Sequence, residues 1–377
     1  MALKQRIAMS VAGFALLAAP LLASAVSWPL TVTDRDNRSV TIEKEPQHII
    51  LQDGRDILSL ALLDRDNPFK RVVAWNNLPK KQDTETWKVL KRAWPDSENI
   101  LDMGFSDQGN VNLEAVIAKH PDLMIAQLRA KPALVQTGVM ASLEKLHIPV
   151  IFVDYELHPV QNTVPSITLL GKVLNQEARA KAYTDYYQAH LQAIQDKTAA
   201  ITPKPVVFIE PIAGVGGLDD ACCFTHAHNG WGGLVEAAGG VNIGSQLLAG
   251  ATGDVSVEKI ISLHPDYYVM TGSKRGGKDN AVVPFGYNTD PAQIKAKFNA
   301  LLARSGVAQI PAVKAGHVAA VYHHFYNNPY NIIGLEALSK TFYPQTFSQL
   351  DPTADYHQII RRFTKLPDDS FNLFYQP

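Results

Sequence analysis

Asn112-Leu-Glu-Ala-Val-Ile-Ala-Lys-His-Pro-Asp-Leu-Met-Ile-Ala126 and Ser256-Val-Glu-Lys-Ile-Ile-Ser-Leu-His-Pro-Asp-Tyr-Tyr-Val-Met270 are two versions of one segment. Glu114 and Glu258, Ile117 and Ile261, and the His-Pro-Asp runs at 120–122 and 264–266 fall in register. Each copy opens on a helix-capping residue, Asn112 or Ser256. Apolar residues follow at helical spacing. The histidine before proline is biased away from helical geometry and ends the helix. A short apolar strand comes next. Each copy is therefore a helix–turn–strand unit of an α/β domain. The offset is too long for a solenoid repeat, so the chain reads as two similar domains.

Between the copies, Val164 to Ile201 lacks Gly and Pro after Gly171 and Pro165. Leu169, Leu170, Val173, Leu174, Ala182, Tyr183, Tyr186, Tyr187, Leu191 and Ile194 recur at spacings of three and four, which predicts one helix of more than thirty residues. Pro203 and Pro205 end it. Upstream, a hairpin of Leu30–Thr33 and Ser39–Ile42 precedes strands at 48–51, 71–74, 123–126 and 150–153, alternating with helices at 56–63 and 132–146. Downstream, strands are expected at 206–209 and 318–321. Alternation of this kind implies mainly parallel sheets. The expected fold is α/β: two Rossmann-like lobes with mainly parallel sheets, joined by one long rigid α-helix. The expected boundaries are a signal peptide at 1–25, an N-terminal lobe at 26–163, a connecting helix at 164–202 and a C-terminal lobe at 203–377.

The signal peptide is read from Lys4 and Arg6, an apolar core at 7–22 and the small residues Ala23-Ser24-Ala25. It sends the mature chain to the periplasm. Its removal takes the formal charge of −1 two units further negative. No basic stripe is present, which argues against a nucleic-acid partner. The two cysteines, Cys222 and Cys223, are adjacent. In an oxidising compartment such a pair either closes into a vicinal disulfide or stays as two thiols.

These segments resemble the helical-backbone class of periplasmic binding proteins, which carry ferric siderophores, haem and cobalamin to ABC importers. The resemblance rests on the hairpin followed by His48-Ile-Ile-Leu51, both copies of the repeat, Leu170-Gly-Lys-Val-Leu174 and Trp231-Gly-Gly-Leu-Val-Glu-Ala-Ala-Gly-Gly-Val-Asn-Ile243. It implies that one glutamate per lobe docks on arginines of the permease, and the matching positions are Glu114 and Glu258. It implies a monomer that works with a permease and a separate ATPase subunit. There is no resident cofactor; Fe3+ belongs to the cargo.

In such a fold the ligand lies between the lobes, against loops that leave the carboxyl ends of strands. Arg55, Arg129 and Arg275 sit on such loops, and guanidinium forks suit an anionic chelate. Trp75, Tyr155, Trp231 and Tyr326 are candidates for stacking on it. His323 and His324 are candidate ligand contacts, and His226 and His228 are candidate metal ligands. The expected arrangement is an open seam that grips a ferric siderophore with little hinge motion. Haem, cobalamin or a nickel chelate are the alternatives within this fold. A bare-ion site is disfavoured, because lobe one offers few histidines for it. A secreted hydrolase is the rival from another class. HExxH and GxSxG are absent, and the SxxK matches at 142–145 and 256–259 lack SDN or KTG partners.

Overall fold

The two copies of the repeat fold alike, down to single dihedral angles. A computed structural model describes residues 27–104, 111–218, 222–276 and 280–377; the expected signal peptide lies outside the described residues. Asn112 accepts from the Ala115 N–H at 3.2 Å, and Ser256 accepts from the Lys259 N–H at 3.3 Å, so both helices are capped as their sequences suggest. His120 and His264 both take left-handed backbone angles, φ 51° and 47°, where the helix turns into the strand. The aspartates that follow do the same work in each lobe. Asp122 accepts from the N–H groups of Gln47 and His48 at 3.0 and 2.9 Å, and Asp266 accepts from the Val206 N–H at 2.7 Å. Each clamps the start of its lobe's opening strand beside the repeat strand. The His-Pro-Asp triplet thus has a structural cause, independent of any ligand.

The repeat strands lie in separate sheets. In lobe one the order is Leu101–Asp102, Val72–Trp75, Ile49–Leu51, Leu123–Gln127 and Val150–Val153, all parallel. In lobe two it is Val241–Asn242, Val206–Glu210, Tyr267–Gly272, Val318–Tyr322 and an antiparallel Phe374–Tyr375. In both, the repeat strand pairs with the lobe's first strand, where the direction of strand succession reverses. Both lobes therefore carry an α/β switch-point crevice at the carboxyl ends of these strands.

Lobe one's sheet is covered on both faces. Ile49 and Leu51 point into a core continuous with lobe two, whereas Ile50, Ala74, Met124, Ala126 and Phe152 pack into a second core on the opposite face. This is the period of two that a pleated strand imposes.

The connection departs from the expected single rod. Pro159–Val173 and Glu177–Thr198 are two helices, separated at Leu174–Gln176. Asn175 adopts a left-handed φ of 55°, and the Gln176 N–H donates to the Gly171 carbonyl at 2.7 Å. Asparagine tolerates that conformation and so terminates the first helix without glycine. The chain then folds back. A Cβ on Gly171 would stand 2.4 Å from the Ala180 Cβ, so the two helices meet at a position only glycine fits. The 22-residue Glu177–Thr198 helix is the long connecting element, and it is tied to both lobes. Arg179 donates to the Leu62 carbonyl of lobe one at 2.9 Å and to the Phe363 carbonyl of lobe two at 2.7 Å. The expected helix at 132–146 is also divided, at Gly138 with φ 74°.

Two consequences can be measured by chemical denaturation. Asp122→Ala strands two backbone N–H groups and should cost about 1–2 kcal/mol; a change within error would show that the clamp is idle. Gly171→Ala should cost about 1–3 kcal/mol through overpacking, whereas a neutral or stabilising result would mean that the helices part freely.

Candidate ligand site at the seam between the lobes

The loops that leave the strand ends converge on one polar cluster. Gly54 allows the first of them to turn: a Cβ there would lie 2.2 Å from the Asn76 carbonyl oxygen. Asp53 caps this turn by accepting from the Arg55 N–H at 3.0 Å, and its Oδ1 also accepts from Arg55 Nε at 2.8 Å. Arg129, from the loop after the repeat strand, donates to Asp53 Oδ2 at 2.8 Å and pairs with Glu156 at 2.9 Å. Arg55 and Arg129 thus flank lobe one's switch-point crevice with Asp53 between them. Arg55 is 8% exposed and Asp53 2%.

Lobe two closes the cluster from the other side. Tyr326 lies against Arg55, and the Asn327 amide oxygen, facing them, accepts from the Tyr326 hydroxyl at 3.0 Å and from Arg55 Nη1. Half-buried Arg275 makes no ion pair among the described residues. Burial and the neighbouring Arg55 pull its pKa down, so the cluster holds it in its charged form at a cost.

The electrostatics favour positive charge. Burial raises the Asp53 carboxyl, but Arg55 and Arg129 overcome this and hold it well below the usual carboxylate range. Asp56 goes the other way. Burial and the Asp53 charge push it well above, so its neutral form is favoured while Gln127 donates to its Oδ1. Burial also raises Glu156. The carboxylates around the three guanidiniums therefore carry less negative charge than the residue count suggests, and an anion can be accommodated beside them.

The three buried histidines are neutral. Burial brings His226 down to about 4, burial and Arg55 bring His324 down to about 3, and His323 lies well below its ordinary value. His323 Nδ1 shares a 2.8 Å hydrogen bond with Thr271 Oγ1. His324 Nε2 lies 3.2 Å from the Gln82 carbonyl, to which it must donate, so Nδ1 carries a lone pair. That Nδ1 is buried and has no hydrogen-bond partner.

Several expectations are corrected. Trp75 is fully buried between Phe69 and Trp87 as core. Trp231 is equally buried and donates to the His323 carbonyl at 3.1 Å, which positions that loop from behind. Tyr155 is enclosed, with its hydroxyl accepting from Ser59 at 2.9 Å. In each case a large side chain next to a strand end turned inward to bury its area. His226 and His228 do not converge. His226 Nδ1 accepts from the Trp231 N–H at 3.2 Å, satisfying a free donor at the start of helix Gly230–Ala237. His228 stands in solvent, 2.9 Å from Glu236. Cys222 and Cys223 are joined as a disulfide beside Glu210. Glu114 and Glu258 are exposed in the first turns of their helices.

The seam is shut rather than open. The Thr84 N–H donates to the Lys274 carbonyl at 3.0 Å, the Gly276 N–H to Lys81 at 3.2 Å, and Ser273 Oγ to Gln82 at 3.0 Å. The Gly230 N–H donates to the Glu156 carbonyl at 2.7 Å, and Tyr322 donates to Asp83. Two cavities on this interface, one beside Arg55 and His324, are each about 10 Å³. A chelate reaches buried Arg55 only if segments 81–84 and 273–276 separate. Sequence reasoning missed the residues that do this closing, Asp83 and Tyr322, and the carboxylates Asp53 and Glu156. Asp53 alone had a visible signal, as an Asx residue two before Arg55 at a strand-to-helix turn.

Comparison with known proteins agrees with this architecture. An uncharacterized ABC transporter substrate-binding lipoprotein, YvrC of Bacillus subtilis, is 27% identical over 85% of this chain and 88% of its own length. A cobalamin-binding protein of Halobacterium salinarum is 25% identical over 81% of this chain and 71% of its own. The crystal structure of the TroA-like periplasmic binding protein FepB from Veillonella parvula superposes with a TM-score of 0.82 at 23% identity, covering 92% of this chain and 99% of that one. Residues 71–322 match the periplasmic binding protein family, and the chain belongs to that family as a binding protein rather than an enzyme.

Proposed function

We propose that this chain is the periplasmic substrate-binding protein of an ABC importer and that it carries an anionic metal chelate, of the ferric siderophore type, held at the seam. The observation that carries this reading is that Arg55 and Arg129 share Asp53 while Arg275, on a lobe-two loop near enough for Arg55 to act on it, makes no ion pair among the described residues. Guanidinium forks match carboxylate and catecholate oxygens, and a partly dehydrated site strengthens each contact. Tyr326 offers a half-buried ring beside them. The partner protein would be a permease with a separate ATPase subunit; the Bacillus relative is named as an ABC transporter substrate-binding lipoprotein. Glu114 and Glu258, on matching helices of the two lobes, suit a two-point electrostatic contact with it.

A nickel or similarly unsaturated chelate is the second reading. It is favoured by His324 Nδ1, a neutral and unpartnered imidazole nitrogen in the seam. Native mass spectrometry of protein recovered from the periplasm, with its absorption spectrum, separates the cases. A charge-transfer band in the visible supports a ferric siderophore. A Soret band, a corrin spectrum or a nickel mass replaces it with haem, cobalamin or the second reading.

Arg275→Ala should weaken an anionic ferric chelate by about tenfold or more, corresponding to a lost charge-assisted contact, and leave a neutral analogue unaffected. Equal loss for both analogues contradicts the charge role. Glu114→Arg combined with Glu258→Arg should leave chelate affinity intact and abolish uptake by cells; undiminished uptake removes the docking assignment.

A further inference from the structure

A second cluster of ligating side chains lies outside the seam, where the connecting helix meets two helices of the C-terminal lobe. His190 on Glu177–Thr198, Glu336 on Asn331–Phe342 and Asp355 on Pro352–Phe363 each place one ligating atom within 4.8 Å of the other two. His190 Nδ1 is 2.6 Å from Glu336 Oε1. Glu336 is 0% exposed, and its second oxygen, Oε2, is buried with no hydrogen-bond partner. His190 and Asp355 are half-buried, so the cluster is open to solvent on one side. Tyr186 lies against His190 at a tilt of 36°, with ring centroids 4.1 Å apart, and its hydroxyl is also buried and unpartnered.

The hydrogen-bonded His190–Glu336 pair accounts for one carboxylate oxygen, Oε1, and leaves Oε2 and Asp355 without a cation. No lysine or arginine forms an ion pair with either carboxylate among the described residues. Two carboxylates and one imidazole share the space, and a carboxylate oxygen inside it is left without a donor. Such a group is costly to bury unless something positive meets it.

We infer that His190, Glu336 and Asp355 form a binding site for a divalent transition metal of the zinc class. One imidazole and two carboxylates, with a side open for water, are a donor set that zinc-class ions take. Calcium and magnesium prefer six or more oxygen ligands, which this cluster does not provide. A bound ion would cross-link the connecting helix to the two C-terminal helices and fix lobe two on its spacer. The site is independent of the seam and of whatever cargo the seam carries.

The test is titration of the chelator-treated protein with Zn2+ by calorimetry, with Co2+ absorption as the reporter of coordination. Wild type should bind one equivalent, and His190→Ala and Asp355→Asn should each weaken binding by about tenfold or more. Arg275→Ala should bind Zn2+ like wild type. Co2+ should give ligand-field bands in wild type that Asp355→Asn lacks. Asp355→Asn is half-buried and isosteric, so it carries the test if His190→Ala fails to fold. Absence of Zn2+ binding at micromolar concentration, or equal binding by wild type and Asp355→Asn, would overturn the assignment.

Discussion

A guanidinium taken out of water needs a negative partner, and of the three at the seam between the lobes one, Arg275, makes no ion pair among the described residues. Asp53 serves both Arg55 and Arg129, and Glu156 also serves Arg129. Arg275 enters from the other lobe with no such partner among the described residues. Leaving a charge in this condition is expensive unless an anion arrives to meet it. The rest of the molecule can be understood as the frame that holds these three side chains at the same place. Their loops leave the carboxyl ends of parallel strands at a switch point in each lobe, which is where α/β sheets present a crevice.

That frame is built twice from one helix–turn–strand unit. The capping residue, the left-handed histidine and the aspartate clamp fix the repeat strand beside the opening strand in each lobe. The two halves are then held by a core that runs without a break from lobe one's sheet through Tyr183 and Tyr187 into lobe two. Tyr187 donates to Asn331 at 2.7 Å across this junction, and Arg179 reaches a carbonyl in each lobe. Opening therefore has to occur at the far side, through the few hydrogen bonds between segments 81–84 and 273–276, with the connecting helices as the fixed edge. Asp83 is poised there. Burial raises it to about 6, and it accepts from Tyr322 across the seam.

Much of this was legible in the residues. The repeat specified the two lobes, because caps, helix stops and strand patterns are local and each has a sequence sign. The strand ends put Arg55, Arg129, Arg275, Tyr326, His323 and His324 on loops at the carboxyl ends of strands, and the structure places these loops along the seam. The direction of a side chain was not legible. Trp75 ends a strand, Tyr155 follows another and Trp231 opens a helix, and all three turn inward, because large apolar area is better buried and nothing local distinguishes the two directions. The break at Asn175 was hidden because asparagine ends a helix in a left-handed turn without the usual glycine. Closure of the seam depends on pairs distant in sequence, such as Thr84 with Lys274, which no local pattern encodes.

The central claim is that an anionic chelate is gripped by loops of both lobes at once. Hydrogen exchange of the backbone amides, with and without an anionic ferric chelate, tests it most directly. The account predicts protection in both the 53–56 and 273–276 segments on addition of the chelate, with the hairpin at 30–42 unchanged. Protection confined to one lobe, or appearing at the hairpin and not at the seam, would contradict it.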